Sequence, residues 1–508
     1  MTATPLLDDA AIDRLQVAFT DAGYHVDPVV ERMGEAEHAA LGRNQTTPGL
    51  RALAGDHDPL ATLTRLWPLQ AVVARTDAEV ALPGLLPALA AAGIVHLHSD
   101  QVRAAVDIRP YGTDDAEPGY GGAWIVSDLS PGLDGRIERM QPEFVLGVSP
   151  ASTSLAQLAF RTPVGSALDL GTGCGVQSLH LARHSQRVTG TDLNPRALVH
   201  ADLTCRLSGA AVELRAGSLY EPVADERFDL IITNPPYVMS PPGSSRLVYR
   251  EGSMSGDGLV EAVVTQGTRH LNPGGSLQML GNWVHPVGSD WAERLAGWVA
   301  STGCDAHIVQ REVLDPYAYI ELWLADAGLI GDPSYPKAYA DWMDYFDQLG
   351  VAAVGMGWIT LHNSNREQPS VTIEDWPHPI EQPIGPAIQQ RQQAVGIIAG
   401  MTDRELLAQR WVLAADVFSE STGTPGEADP HHVVLRQQRG FRRAVEVGTA
   451  SGGVVGACDG ELTLAQIVAG VAAVLGTEVE DVAGEAVPLV RRLILDGMVS
   501  LASVDDRP

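Results

Sequence analysis

Ala167-Leu168-Asp169-Leu170-Gly171-Thr172-Gly173-Cys174-Gly175 decides the fold. A short apolar run carrying one acid breaks into three glycines spaced G-x-G-x-G and then opens a helical segment. Glycine reaches backbone conformations closed to other residues, so the turn can be tight and a bulky ligand can lie against it. Val176 stands where the third glycine of a dinucleotide-binding G-x-G-x-x-G would be, which disfavours a nicotinamide cofactor. A glycine-rich turn by itself also serves packing in many α/β proteins, so its neighbours must decide.

Working outward, Val188-Thr189-Gly190-Thr191 reads as a second strand ending at Asp192. A carboxylate there can accept both hydroxyls of a ribose; alternatively it caps the helix that begins at Asn194-Pro195. Val212-Glu213-Leu214, Leu230-Ile231-Ile232, Ser276 to Leu280, His307-Ile308-Val309 and Tyr319 to Leu324 continue the series of strands. Alternating strands and helices over about 144–326 imply a mainly parallel, doubly wound α/β sheet. The last two strands lie so close in sequence that one is expected to be antiparallel. Asn234-Pro235-Pro236-Tyr237 follows the fourth strand, at the sheet edge where ligands of open α/β sheets bind. Two prolines stiffen the turn and leave carbonyls free. The Asn234 oxygen and a backbone carbonyl could then accept the hydrogens of a planar NH2 group, with Tyr237 stacked on its plane.

This order of motifs resembles class I S-adenosylmethionine-dependent methyltransferases. The resemblance implies a Rossmann-like sheet with an antiparallel last strand and S-adenosyl-L-methionine as cofactor. Asp169, Gly171, Thr172, Gly173 and Gly175 would shape the methionine pocket, and Asp192 with Leu193 would hold the ribose. Ser218-Leu219 would sit beside the adenine, where many relatives carry Asp or Asn instead of Ser218. Pro150 to Ser154 looks like the loop that closes over the cofactor. Asn-Pro-Pro-Tyr is similar to the N-methyltransferases that modify amide or exocyclic amine nitrogen, including release-factor glutamine, ribosomal-RNA guanine and DNA or RNA adenine methyltransferases. Asn234, Pro235, Pro236 and Tyr237 would then be the catalytic group, with Asn234 also beside the cofactor. Tyr249-Arg250-Glu251-Gly252 and Gly256-Asp257-Gly258-Leu259 look most like the glutamine enzymes, although the aromatic precedes Arg250 here. The expected acceptor is a macromolecule, a protein glutamine ahead of an RNA base, with a small-molecule natural product as a third class. A binding protein that kept the fold and lost activity is a different class, against which Asp192 and Asn234 argue.

The flanks read as accessory domains. Residues 1–143 form a mostly helical, winged-helix-like substrate-recognition domain, with Asp9 capping a first helix and Leu85 to Gly93 leading into the strand Ile94 to His98. Residues 327–400 are an aromatic-rich appendage packed on the core, and 401–508 are winged-helix-like again, with Thr463 as a helix cap. His96 and His98 alternate on their strand without a third ligand, and His431-His432 are adjacent, so no metal is expected. Arg436, Arg439, Arg442 and Arg443 around Phe441 could contact RNA, but offsetting nearby acids is favoured.

Composition sets the bounds. A chain of 508 residues, 45% hydrophobic and 19% charged, suggests several soluble domains. Its net charge of -29 works against sequence-independent binding of nucleic acid. No apolar run is long enough for a membrane span, and the start carries no signal-peptide pattern. Cys174, Cys205, Cys304 and Cys458 are scattered, which argues against a disulfide framework or zinc ribbon and fits a reducing cytoplasm.

Overall fold

The computed structural model describes residues 6–112, 122–136, 140–242, 250, 254–424 and 432–502. Tyr249, Glu251, Gly252 and His431, named above, lie outside the described residues, as does the tail Asp505-Asp506. Two compact units emerge, Met1–Ala156 with Thr162–Trp376, and Gln157–Arg161 with Pro377–Pro508.

The first unit is built on an eight-stranded sheet. Its strands are β1 (Val164–Leu170), β2 (Ser185–Asp192), β3 (Glu213–Ala216), β4 (Phe228–Thr233), β5 (Leu271–Pro286), β6 (Asp305–Leu314), β7 (Val351–His362) and β8 (Val371–Asp375). They lie in the order β8-β6-β7-β5-β4-β1-β2-β3. From β3 to β5 every pairing is parallel. β7 runs antiparallel between β5 and β6, and β8 pairs parallel to β6 at the edge. Leu168, Phe228, Leu230, Ile231 and Ile232 are fully or almost fully buried, as strands covered on both faces must be. The covering helices are α1 (Pro150–Leu158), α2 (Val176–Ala182), α3 (Pro195–Leu207), α4 (Gly258–Gly267), α5 (Trp291–Ala300), α6 (Pro316–Asp326) and α7 (Tyr335–Leu349). Winding reverses between β1 and β4, and that reversal opens a crevice at their carboxyl ends.

Tyr319 to Leu324, expected as a strand, is instead the middle of α6. Asp315 caps it, accepting from the backbone of Tyr317 and Ala318 at 2.9 Å each, and Pro316 opens the first turn. A cap plus a first-turn proline outweighs the β-leaning composition of the run. The antiparallel strand comes later, as β7, so the sheet continues past 326 to Asp375. Between β6 and β7 the chain inserts α6 and α7, whose Tyr319, Trp342, Tyr345 and Phe346 pack together with Val238 and Met239. Pro150 to Ser154 is likewise the first part of α1, not a loop.

Ahead of the sheet, helices pack around Phe19, Tyr24, Trp67 and Trp124, with the Phe19 and Trp67 rings edge to face at 5.4 Å. The first helix, Asp9–Asp21, is capped one residue earlier than expected, because Asp8 accepts from Ala11 N at 2.8 Å. Val73–Ala74 lies beside Gln101–Ala104, which lies beside Val95–His98, and His96 and His98 are exposed there. The strand Ala123–Ser127 rests on α3, where Val126 N donates to Thr204 Oγ1 at 2.9 Å.

In the second unit Leu464–Leu475 and Val479–Leu495 close over Trp411 and Leu406, and Thr463 with Gln466 forms a capping box at the first of these helices. Asp496 faces Arg391, Arg443 and Arg492 at 3.5, 3.2 and 3.6 Å, and Arg436 pairs with Glu420 at 2.7 Å. Half of the arginine cluster is thus tied to acids within its own unit.

Candidate active site

A cavity of about 310 Å³ occupies the crevice above β1 and β4. Of the residues expected in a site, Gly171, Thr172, Gly173, Asp192, Leu193, Ser218, Leu219, Asn234, Pro235 and Pro236 all line it. Asp169, Gly175 and Tyr237 are outside its lining.

The glycine turn shows why. Gly171, Gly173 and Gly175 all have positive φ, at 78, 55 and 84°. A Cβ on Gly171 or Gly173 would meet no protein atom within 4 Å, whereas one on Gly175 would come within 3.1 Å of the Ala201 Cα in α3. The first two therefore leave room on the cavity side, and the third lets two helices approach. Beneath the turn Asp169, 1% exposed, accepts from Thr172 Oγ1 and Ser178 Oγ at 2.7 Å each. Burial pushes its carboxyl up to about 6, against the opposing pull of those two hydroxyls. Asp169 thus holds the turn's shape from below.

Asp192 ends β2 with both oxygens engaged, Oδ2 by Gly173 N at 2.9 Å and Oδ1 by Asn194 N at 2.8 Å. Burial raises its pKa, while the backbone donors pull it back. It is not the helix cap: Asn194 is, accepting from Arg196 N at 3.0 Å, with Pro195 in the first turn of α3. Each Asp192 oxygen keeps a lone pair for a hydroxyl. Leu193 beside it is 61% exposed. Gly217 N donates to the Asp192 carbonyl at 3.1 Å, which draws Ser218 and Leu219 to the same wall.

At the other end, Thr233 Oγ1 donates to Leu170 O at 2.6 Å and ties β4 to β1. Asn234 Oδ1 is buried with no hydrogen-bond partner among the described residues. An orphaned buried acceptor is costly, and its location at a ligand cavity makes a donor from the ligand its natural partner. Tyr237 instead packs with the aromatic residues of α6 and α7, and burial with nearby Asp326 pushes its hydroxyl up to about 12. The turn is braced from behind: Val238 N donates to Arg250 O at 2.9 Å and Met239 N to Tyr319 Oη at 3.2 Å. Arg250 in turn reaches Asp326 at 2.8 Å and the Trp323 carbonyl at 3.1 Å.

Several lining residues were not evident from the sequence: Phe144 to Gly147, Ser149, Gln177, Leu259 and Val263, whereas Ser152 falls in the stretch expected to close over the cofactor. Phe144 to Gly147 precede the first strand without any motif. They are held by Asp128, whose Oδ2 accepts from Val145 N at 2.8 Å and whose N donates to Val145 O at 3.0 Å. Asp128 also takes Arg196, in the first turn of α3, in a bidentate pair. Gln177 could have been noticed as a polar side chain in the first turn after the glycines, where a buried helix face is expected.

Residues 147–294 match the model of the methyltransferase small domain, and residues 21–105 match a domain of unknown function (DUF7059). The release factor glutamine methyltransferase of Geobacter sulfurreducens is 34% identical over 166 residues, covering 30% of this chain and 55% of that protein. The ribosomal RNA small subunit methyltransferase C of Escherichia coli O1:K1 is 32% identical over 124 residues, covering 24% and 32%. A methyltransferase structure from Pyrococcus furiosus superposes with a TM-score of 0.28 at 16% identity, covering 43% of this chain and 85% of that one. The chain therefore spans about half the length, or less, of the curated relatives it matches. Among the described residues no helix is long and apolar enough to cross a membrane, and no cluster of three metal-ligating side chains occurs. Within this chain it is residues 147–294 that are similar to the methyltransferase small domain.

Proposed function

We propose that this protein is an S-adenosyl-L-methionine-dependent N-methyltransferase acting on an amide or exocyclic amine nitrogen of a macromolecule, with a protein glutamine ahead of an RNA base. The residues present suit the cofactor: open space at Gly171 and Gly173, two lone pairs at Asp192 for a ribose, and unpartnered acceptors at the cavity. The observation that carries the reading is the buried, unpartnered Asn234 Oδ1, set beside that cradle.

The cofactor supplies a methyl group on a positively charged sulfur, so the protein need not activate the electrophile. Its task is placement of a nitrogen lone pair in line with that methyl. Asn234 Oδ1 and the Pro235 carbonyl accept the two N–H hydrogens, which turns the lone pair away from conjugation and stabilises the positive charge that develops on nitrogen. Tyr237 and Arg250 keep the turn in place from behind. Leu259 and Val263 make the wall beside it apolar, which strengthens those hydrogen bonds by excluding water.

The similarity to release factor glutamine methyltransferases supports a protein acceptor, as does the acidic charge of -29. The similarity to ribosomal RNA small subunit methyltransferase C keeps the RNA base as the second reading. Winged-helix-like flanking domains would present either acceptor. The test combines a variant with a labelled extract. Asn234→Ala should lose about 10²- to 10³-fold in transfer, as when one preorganised transition-state contact is deleted, while its affinity for S-adenosylhomocysteine stays nearly unchanged. Equal losses in both would remove Asn234 from the acceptor side. Methyl label from the wild-type protein that survives ribonuclease but not protease supports the glutamine reading, and the reverse supports the base.

A further inference from the structure

Gln177 lies in the first turn of α2, one residue beyond the valine that follows the glycine turn, and it lines the cavity while only 5% exposed. Its Nε2 donates to the Ser152 carbonyl of α1 at 2.7 Å. A carbonyl can only accept, so this bond fixes which way round the amide sits. Its Oε1 must then be the free end. That oxygen is buried and has no hydrogen-bond partner among the described residues. The amide is thus locked in place and offers one unsatisfied acceptor to the cavity.

The neighbours narrow the donor. Ser149 and Ser152 beside it are engaged with each other, their hydroxyls 3.1 Å apart and Ser152 N on Ser149 Oγ at 3.2 Å. Asp192 and Ser218, which would take the ribose and the base, follow β2 and β3, whereas Gln177 follows the glycine turn itself and is bonded through Ser152 to α1. A ligand that reaches both must carry a hydrogen-bond donor at the end remote from its nucleoside.

We propose that Gln177 is a specificity-determining residue whose Oε1 accepts from the α-ammonium of the amino-acid end of the cofactor, with the Ser152 carbonyl as the group that orients it. This rests on the reading of the cavity as an S-adenosyl-L-methionine site. It makes α1 part of cofactor selection, because displacing Ser152 would release the amide to rotate.

The test is a binding cycle with no turnover in it, crossing wild type and Gln177→Met against S-adenosylhomocysteine and its desamino analogue. Methionine keeps the side chain's length and volume but has no amide. Wild type should bind S-adenosylhomocysteine about 10- to 100-fold more tightly than the desamino analogue, the range of a hydrogen bond to a charged group. Gln177→Met should lose most of that preference while binding the desamino analogue about as well as wild type does. An equal preference in both proteins overturns the proposal, as does a wild type with no preference. Should Gln177→Met prove unstable, Gln177→Leu offers a second route, because leucine also lacks the amide, and an undiminished preference there overturns the proposal. A wild type that binds neither ligand overturns the cofactor reading itself, and the role of Gln177 with it.

Discussion

Asp169 sets a measurable cost at the residue scale. Its carboxyl is raised from about 4 toward about 6 on folding, because burial disfavours the charge more than Thr172 and Ser178 favour it. For a group whose folded pKa is raised, the stabilising contribution is complete below the unfolded value and is lost as pH rises through the folded one. Asp169 therefore favours the fold below pH 4 and costs it about 3 kcal/mol once ionised above pH 6. Asn at this position keeps an acceptor for both hydroxyls and carries no charge. Asp169→Asn should gain stability relative to wild type at pH 7.5 and lose that gain as pH falls to 4, as read by melting temperatures across the range. A difference that is flat with pH would mean that Asp169 does not titrate there. The sequence showed Asp169 as part of the turn but not on which side of it. A motif gives spacing, whereas exposure to the cavity depends on which atoms of α2 and α3 lie underneath.

Elements show the same division between what pattern carries and what contact decides. The parallel half of the sheet was legible because β1 and β4 carry apolar runs that end in turns, while β2 shows only the short Val188 to Thr191 stretch before Asp192, and the residues at their ends fall on one edge. The antiparallel half was not, since α6 holds aromatic and β-branched residues that suit a strand, and only the cap at Asp315-Pro316 distinguishes the two. The wall at Phe144 to Gly147 was invisible for another reason: its position is imposed by Asp128, which carries no motif either. Asp128 holds Val145 by two backbone-level bonds and α3 by Arg196, so one side chain joins the wall to the helix that follows Asp192. Asp128→Ala should weaken S-adenosylhomocysteine binding by about tenfold, the low end for losing hydrogen bonds to a charged group. Titration calorimetry on the variant and on Arg196→Ala would show it, with Arg196→Ala losing less because the Val145 bonds remain. A dissociation constant unchanged in Asp128→Ala would mean that the wall stands without Asp128.

At the scale of the whole molecule the two units do not follow one another along the chain. Gln157–Arg161, the end of α1 and the start of its link to β1 within the segment similar to the methyltransferase small domain, belongs to the unit completed by Pro377–Pro508. Leu158, Ala159 and Phe160 are nearly fully buried there. No composition shift marks those five residues, so a linear reading of the sequence could not assign them to a C-terminal body. The helix Gly385–Ile398 begins against this segment: a Cβ on Gly385 would sit 2.6 Å from the Ala159 carbonyl oxygen and 2.8 Å from that of Leu158. Backbone oxygens cannot swing aside as a flexible side chain can, so the helix start must shift to admit a methyl group. Gly385→Ala should therefore cost about 1–3 kcal/mol, the usual penalty for overpacking, despite alanine's higher helix propensity. If the second unit were a freely appended domain, the substitution would stabilise it slightly and leave the rest untouched. Denaturant unfolding separates the two outcomes: a lower midpoint in the transition that exposes Trp411 supports the interleaved arrangement, and an unchanged or higher one refutes it.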